Sequence, residues 1–193
     1  MAKPFDTQLL NKTVISVVTD AFKELCHVEP GAEPVVVEKE IIEYDGRMRL
    51  SPMEKFNGPA CVGVVTYHLS EKDQKDNIAV GTFALFIKED VVEKVLKALG
   101  RPKADMDNDE VVLDGIGEFC RILAENVRKG LAAEGYSSLL ASEPLKYRNA
   151  VPEGVPFDYA LFRKQELTFN FWNRNCVVIE ACLGRVPLSR DNR

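Results

Sequence analysis

The sequence is poor in the residues that build the commonest metal and redox sites. It has two histidines, His27 and His68, which lie far apart and in no metal-ligand spacing. Its five cysteines are odd in number and scattered, and none forms a C-x-x-C pair. We therefore expect buried free thiols in a reducing compartment, and no metal or cofactor bound by the chain itself.

The chain also lacks long apolar runs and any excess of basic residues. No apolar stretch approaches the ~20 residues of a membrane span, and the N-terminal residues contain no continuous apolar segment of a signal peptide. The net charge of −5 argues against nucleic acid or an anionic membrane surface as a partner. We expect a cytoplasmic protein.

The length and composition indicate one domain. Of the 193 residues, 46% are apolar and 28% are charged, as in an ordinary globular protein. Neither a low-complexity segment nor a linker divides the chain. We expect a single domain over residues 1–193, with a flexible polar tail from about residue 188.

Apolar periodicity predicts two helices ahead of the longest one. Asp6 or Thr7 caps a helix that runs to about Cys26, and a second helix covers residues 88–100 and ends at Gly100. Branched and apolar runs predict strands between and after them. These strands are expected at residues 35–44, 60–69, 78–87, 136–141 and 145–147, with a loop over residues 45–58.

The strands differ in character, which predicts their places in a sheet. Residues 35–44 carry charges and suit an edge, whereas 60–69 and 78–87 are apolar on both faces and suit the centre. The last strands form a hairpin around a turn at residues 173–175. Strands joined by hairpins, with helices between the runs, predict an α+β fold with a mainly antiparallel sheet and long helices packed on it.

The longest predicted helix, residues 111–136, has an apolar stripe and a charged stripe. The charged stripe consists of Asp114, Glu118, Arg121, Glu125 and Arg128. Neighbours on it lie three or four residues apart, and such ion pairs stabilise a helix by ~0.2–0.5 kcal/mol each without any further function. A purely structural role for the stripe therefore stands beside a functional one.

One stretch of the chain resembles the CheC/CheX/FliY family of bacterial chemotaxis proteins. It consists of the predicted helix KEDVVEKVLKALG, an acidic connector and the segment DGIGEFCRILAENVRKGLAAEG. That family carries a long helix reading roughly D-x-x-G-E-x-x-N-x-x-x-G-N-x-K. The resemblance implies a CheC-like fold over nearly the whole chain. It also implies docking on a phosphorylated response-regulator receiver domain of the CheY type, aspartyl-phosphate phosphatase activity and a homodimer. The Mg²⁺ ion would belong to the regulator.

The match to this motif is partial. Asp114, Gly117 and Glu118 match, and Glu118 takes the place of the glutamate that pairs with a lysine of the partner. The water-orienting asparagine is replaced by Arg121, which has only hydrogen-bond donors and would instead stabilise charge on the phosphoryl group. Glu125 and Arg128 replace the later glycine and lysine and are expected at the rim, as partner-binding residues with Asp114.

Asn126 matches the motif, but it lies about 80° around the helix from Glu118. We expect it to serve packing or capping rather than catalysis. Two functional interpretations remain open. The chain docks on a receiver domain, with or without phosphatase activity, or it is a non-catalytic dimeric scaffold of the same family. A third class, a small-ligand-binding domain, would need a pocket that the sequence does not indicate.

Overall fold

The computed structural model describes residues 5–189 of the chain, in which helices and strands are interspersed. The helices are α1 (Thr7–Cys26), α2 (Pro52–Phe56), α3 (Glu71–Lys75), α4 (Glu89–Ala98) and α5 (Asp109–Ala133). The strands are β1 (Val35–Glu40), β2 (Glu43–Tyr44), β3 (Arg47–Met48), β4 (Ala60–His68), β5 (Gly81–Lys88), β6 (Leu140–Ala141), β7 (Leu145–Arg148), β8 (Arg163–Phe171) and β9 (Arg174–Leu183).

One seven-stranded sheet organises these elements. Its strands lie in the order β1-β8-β9-β5-β4-β6, with β7 also paired to β4, and each pairing is antiparallel. The long helices α1, α4 and α5 pack against one face and enclose the larger core. The predicted α+β architecture, a mainly antiparallel sheet with long helices packed on it, is confirmed.

Helix α1 begins and ends at local signals that the sequence carries. The Asp6 carboxylate accepts hydrogen bonds from the backbone N–H groups of Gln8, at 2.9 Å, and Leu9, at 3.4 Å. These bonds satisfy donors that have no partner within the helix. The helix ends where His27 adopts a left-handed backbone with φ 52°. The predicted start and end are both confirmed.

The central strands β4 and β5 are buried along almost their whole length, as their unbroken apolar sequence predicts. Gly63 in β4 lies directly beneath α5. A Cβ atom there would lie 2.5 Å from Cβ of Cys120 and 3.4 Å from the carbonyl oxygen of Ile116. The absence of a side chain at Gly63 permits this close approach, which brings α5 down onto the sheet.

The second face of the sheet is partly covered by residues 45–58, which the sequence predicts as a loop. Residues 45–58 contain β3 and α2, so the prediction of a structureless loop there was wrong. Met48 and Leu50 of this segment lie on a smaller core with Val62, Phe86 and side chains of residues 151–157. The elements are too short for their periodicity to be detected, and their burial depends on residues about a hundred positions away.

Beneath α2 lies a network of buried charges. Lys55 and Lys164 both bind the carboxylate of Glu180, and Lys55 also binds Glu166 at 2.6 Å. The side chains of Lys55, Lys164 and Glu180 are 9%, 8% and 1% exposed. Lys39 completes the network by contacting Glu166 at 2.9 Å. Each buried charge here has an oppositely charged neighbour, as burial requires.

The hairpin of β8 and β9 has a shorter turn than predicted. Trp172 and Asn173 are its two turn residues, with φ of 52° and 61°, and Arg174 already belongs to β9. Two successive positive φ angles are typical of a two-residue turn that matches the twist of the strands. The predicted turn at residues 173–175 was therefore misplaced by one residue.

The segment after α5 is less regular than predicted. Of residues 136–141 only Leu140 and Ala141 form a strand. The ring of Tyr136 packs edge-on against the ring of Phe5, with their centroids 4.7 Å apart. Near the C-terminus, the backbone N–H of Ser189 donates to the carbonyl of Gly135 at 2.7 Å. The rest of the predicted flexible tail, residues 190–193, lies outside the described residues.

Candidate functional site

Helix α5 is anchored more firmly than the predicted apolar stripe alone implies. Asn108 caps its start by accepting from the N–H groups of Glu110 and Val111, at 3.1 and 3.3 Å. The buried hydroxyl of Tyr67 donates to the carbonyl of Ala124 at 2.7 Å. Phe119 is fully buried and packs against Phe22 of α1. The helix therefore presents its charged side chains from a fixed frame.

Three carboxylates of the charged stripe are paired within the chain. Asp114 binds Lys146 of β7, whose side chain packs over Gly117. Glu118 binds Arg101, from the connector between α4 and α5, at 2.6 Å. Glu125 is bound on the helix itself, where Arg128 donates to both of its oxygens at 2.6 and 2.9 Å.

Arg121 differs from its neighbours on the stripe. It is exposed, and among residues 5–189 it has neither an ion-pair partner nor a hydrogen-bond partner. Of the pairs that helical spacing allows, only Glu125–Arg128 forms, so the predicted ladder through Arg121 is wrong. Glu118 instead takes a cation from outside the helix, which leaves the guanidinium of Arg121 available.

Two of these carboxylates, Asp114 and Glu125, are held in their charged form. Hydrogen bonding and charge from Lys146 lower the pKa of Asp114. The hydrogen bonds that Arg128 donates lower the pKa of Glu125, against the opposing effect of partial burial. Both carboxylates are therefore ionised at neutral pH and act only as hydrogen-bond acceptors.

A small cleft of about 170 Å³ opens beside Arg121. It is lined by Val65, Arg121, Glu125, Ala141, Ser142 and Glu143. Sequence reasoning missed Ser142 and Glu143, because nothing in the segment between the two short strands indicates that it lies against α5. The cleft brings the guanidinium of Arg121 close to two carboxylates and a hydroxyl.

Ser142 ends a hydrogen-bond chain that begins in the core. Buried His68 contacts the carbonyl of Ile78 through Nδ1, at 2.7 Å, and the hydroxyl of Thr66 through Nε2, at 2.9 Å. That hydroxyl and the backbone N–H of Thr66 both donate to Oγ of Ser142 at 3.0 Å. Both nitrogens of the His68 ring are thus engaged within the fold, which leaves neither of them open to a ligand.

Asn126 is exposed and makes no side-chain hydrogen bond with residues 5–189. The predicted capping role is therefore not observed.

Within residues 5–189 no group of three or more histidine, cysteine or acidic residues is placed to hold a metal ion. The five cysteines are free, and four of them are buried. In the same described range, no helix is long and apolar enough to cross a membrane.

Comparison with known proteins gives no sequence match and several structural ones. No protein-family model matches the chain. No curated protein matches it either. The chemotaxis protein CheX from Desulfovibrio desulfuricans has a similar structure, with a TM-score of 0.54 and 15% identity over 90% of this chain and 98% of that one. A CheC-like superfamily protein from Shewanella sp. PV-4 gives 0.56 and 16% identity over 90% and 96%.

This chain has the CheC/CheX fold. The fold predicted from the sequence resemblance is thereby confirmed. FliM from H. pylori, in its complex with SpeE, is similar as well, with a TM-score of 0.54 and 9% identity over 92% of this chain and 85% of that one. Proteins with different names and partners thus share the CheC/CheX fold, so the function of this chain has to be argued from its own site.

Proposed function

We propose that the chain is a chemotaxis or two-component signalling protein that docks on the receiver domain of a phosphorylated response regulator. The docking surface is the charged stripe of α5, with Glu118 contacting a cation of the partner and Arg121 facing the aspartyl phosphate. Asp114, Glu125 and Arg128 form the rim. The Mg²⁺ ion in the interface would be the regulator's own.

One observation carries this proposal: Arg121 is an exposed guanidinium one helical turn from Glu118, and it has no hydrogen-bond or ion-pair partner among residues 5–189. Arginine recognises phosphoryl oxygens because its planar fork donates several hydrogen bonds at once. A stripe that served only to stabilise α5 would use Arg121 in an i,i+3 or i,i+4 pair. The CheC/CheX fold and the matching positions Asp114, Gly117 and Glu118 support the same choice of partner.

Phosphatase activity is the finer part of the proposal. Negative charge on a transferring phosphoryl group is stabilised by a guanidinium in many phosphoryl-transfer sites. Arg121 can supply the positive charge of a guanidinium, whereas an asparagine at that position would supply a hydrogen-bond acceptor for the attacking water. The proposed surface therefore holds the phosphoryl group differently from the motif that it resembles.

The test of docking measures the affinity of the chain for purified receiver domains from the same organism. Each receiver domain is used both with and without bound beryllofluoride, a stable mimic of the phosphoryl group on its aspartate. Glu118→Ala is expected to weaken binding about 10-fold or more, since a charge-assisted hydrogen bond contributes ~1.5–3 kcal/mol. Glu134→Ala, at the exposed end of α5, is the control and should leave binding unchanged. Wild-type affinity in Glu118→Ala would remove the basis for docking through this stripe.

A second candidate function, a non-catalytic dimeric scaffold, is favoured by the open edge of β1. Val35, Val36 and Val37 are 57%, 39% and 44% exposed, and Phe162 beside this strand is 79% exposed. Beyond the strand, Ile41 donates to the carbonyl of Phe162 at 2.9 Å, in the same register as the β1–β8 pairs. In an antiparallel pair, the backbone N–H and C=O groups of successive residues point alternately towards and away from the neighbouring strand. Those of Val36, Glu38 and Glu40 therefore point away from β8, towards the open edge.

Register decides how two such edges can pair. A symmetric pairing centred on Glu38 places like charges opposite each other, which is destabilising. A pairing centred on Val36 places Val35 opposite Val37 of the other copy, so that valines meet at its centre and no like charges lie opposite each other. We propose this second register for a homodimer.

Light scattering during gel filtration tests the dimer. The wild-type chain should have twice the monomer mass, and Val36→Lys should shift it to the monomer. Ile78→Lys changes an aliphatic residue elsewhere that is more exposed than Val36, at 58% against 39%, and should remain dimeric. A wild-type monomer, or a dimer unaffected by Val36→Lys, would rule out this interface.

A further inference from the structure

Arg121 shares its cleft with a carboxylate that the resemblance does not predict. Glu125 occupies a position where the motif has glycine, and it lines the same 170 Å³ cleft as Arg121. Both residues lie on the exposed side of α5, one helical turn apart. The cleft therefore places a hydrogen-bond acceptor beside the donor that stands where the motif has asparagine.

Hydrolysis of an aspartyl phosphate needs both kinds of group. The phosphoryl oxygens need donors, and the attacking water needs an acceptor that fixes its direction of approach. Arg121 provides donors only. An acceptor must come from another side chain, and the cleft offers Glu125, Ser142 and Glu143.

Glu125 is the best held of these three acceptors. Arg128 donates to both of its oxygens, at 2.6 and 2.9 Å, and so fixes the plane of the carboxylate. Each oxygen keeps a further lone pair for a water molecule. Arg128 also offsets the negative charge that would otherwise repel an anionic phosphoryl group.

The other two candidates are less suited to this role. Oγ of Ser142 already accepts from the N–H and the hydroxyl of Thr66, and its own hydroxyl donates to the carbonyl of Glu143. The side chain of Glu143 is exposed and makes no hydrogen bond with residues 5–189 that would fix its orientation. Pre-organisation therefore favours Glu125.

We propose that Glu125, clamped by Arg128, orients the attacking water while Arg121 holds the phosphoryl oxygens of the docked receiver domain. Arg121 and Glu125 thus stand in for the asparagine of the motif, with Arg121 supplying the hydrogen-bond donors and Glu125 the acceptor for water. This inference rests on the proposed docking function and assigns the water-orienting role within it.

The step balances without any further reactant. The water oxygen forms a bond to phosphorus as the bond from phosphorus to the aspartyl oxygen breaks, and that electron pair returns to the regulator's carboxylate. The water loses one proton to bulk solvent as this bond forms, while Glu125 accepts a hydrogen bond from the water and fixes its direction of approach. The products are the free aspartate of the regulator and inorganic phosphate.

The experiment follows the decay of a receiver domain that has been phosphorylated with acetyl phosphate, using the domain that binds best in the docking assay. Wild-type protein should accelerate decay, and Glu125→Ala should lose about 100-fold of that acceleration, as expected when a reacting group is no longer held in position. Glu125→Gln keeps an acceptor oxygen and should lose no more than about 10-fold. Glu143→Ala, in the same cleft, should behave as wild type.

Each outcome separates this inference from the docking proposal. A wild-type chain that does not bind any receiver domain contradicts docking itself. A chain that binds but does not accelerate decay overturns the inference while docking stands. Wild-type rates in Glu125→Ala, or a loss confined to Glu143→Ala, would assign the acceptor role elsewhere.

Discussion

Charged side chains occupy two contrasting settings in this molecule. Beneath α2, Lys55, Lys164 and Glu180 are almost fully buried and satisfy one another. On α5 the charges are exposed or half-buried, and Arg121 is left without a partner among residues 5–189. The contrast indicates that the buried network belongs to the architecture, while the open cation on the helix is available to a ligand.

Breaking the buried network should have the largest effect on stability. Glu180→Ala leaves two buried lysines without their shared carboxylate, and removal of one partner from a buried pair costs ~3–5 kcal/mol. Urea unfolding followed by circular dichroism measures this loss. The control is Glu29→Ala, which breaks the exposed pair with Lys23 and should change the free energy of unfolding by less than ~0.5 kcal/mol. Equal effects of the two variants would contradict the contrast between the settings.

Acid should reveal the same network. Burial by itself raises the pKa of Glu166, but hydrogen bonds and charge from Lys55 and Lys39 outweigh it and hold the pKa below its ordinary value. Its contribution is therefore present above the unfolded-state pKa of about 4.3 and is lost as the pH falls through the lower folded-state pKa. Unfolding curves from pH 7 to pH 3 should show this loss, and Glu166→Gln should flatten it. An unchanged acid limb in that variant would contradict the assignment.

A smaller effect is expected where a charge of α5 is already occupied. Arg101 holds Glu118 at 2.6 Å, and a partner's cation has to compete with it. Arg101→Ala should strengthen docking about two- to fivefold, because exposed pairs contribute ~0.2–1 kcal/mol. Arg174→Ala breaks a comparable surface pair with Asp90 and should leave docking unchanged. Weaker docking in Arg101→Ala would show that Arg101 helps to bind the partner.

The smallest effect on stability should come from Arg121 itself. Arg121→Ala removes no hydrogen bond or ion pair with residues 5–189, so the free energy of unfolding should change by less than ~0.5 kcal/mol. Chemical denaturation measures it beside Glu180→Ala. A loss above about 1 kcal/mol would show that Arg121 has a structural role after all.

The sequence predicted the elements whose signals are local. The cap at Asp6, the periodicity of α5 and the unbroken apolar runs of β4 and β5 are each contained in one short stretch. The edge position of β1 also followed from its own charges. These features determine the fold class, which is why resemblance and structure agree on it.

The details of the site were less predictable because they depend on distant residues. Arg101 reaches Glu118 across 17 positions and Lys146 reaches Asp114 across 32. Helical spacing considers only neighbours within α5, so it paired Arg121 with carboxylates that other segments and Arg128 occupy. The cleft at Ser142 arises only when the segment after α5 folds back beside β4.

The central claim is that Arg121 reads the phosphoryl group of a docked receiver domain. Titration of one receiver domain, with and without beryllofluoride, against the wild-type chain and Arg121→Ala tests it most directly. The wild-type chain should prefer the beryllofluoride form about 10-fold or more, as a charge-assisted contact of ~1.5–3 kcal/mol implies. Arg121→Ala should bind both forms with the affinity that the wild-type chain shows for the unmodified domain. An undiminished preference in Arg121→Ala would contradict the account.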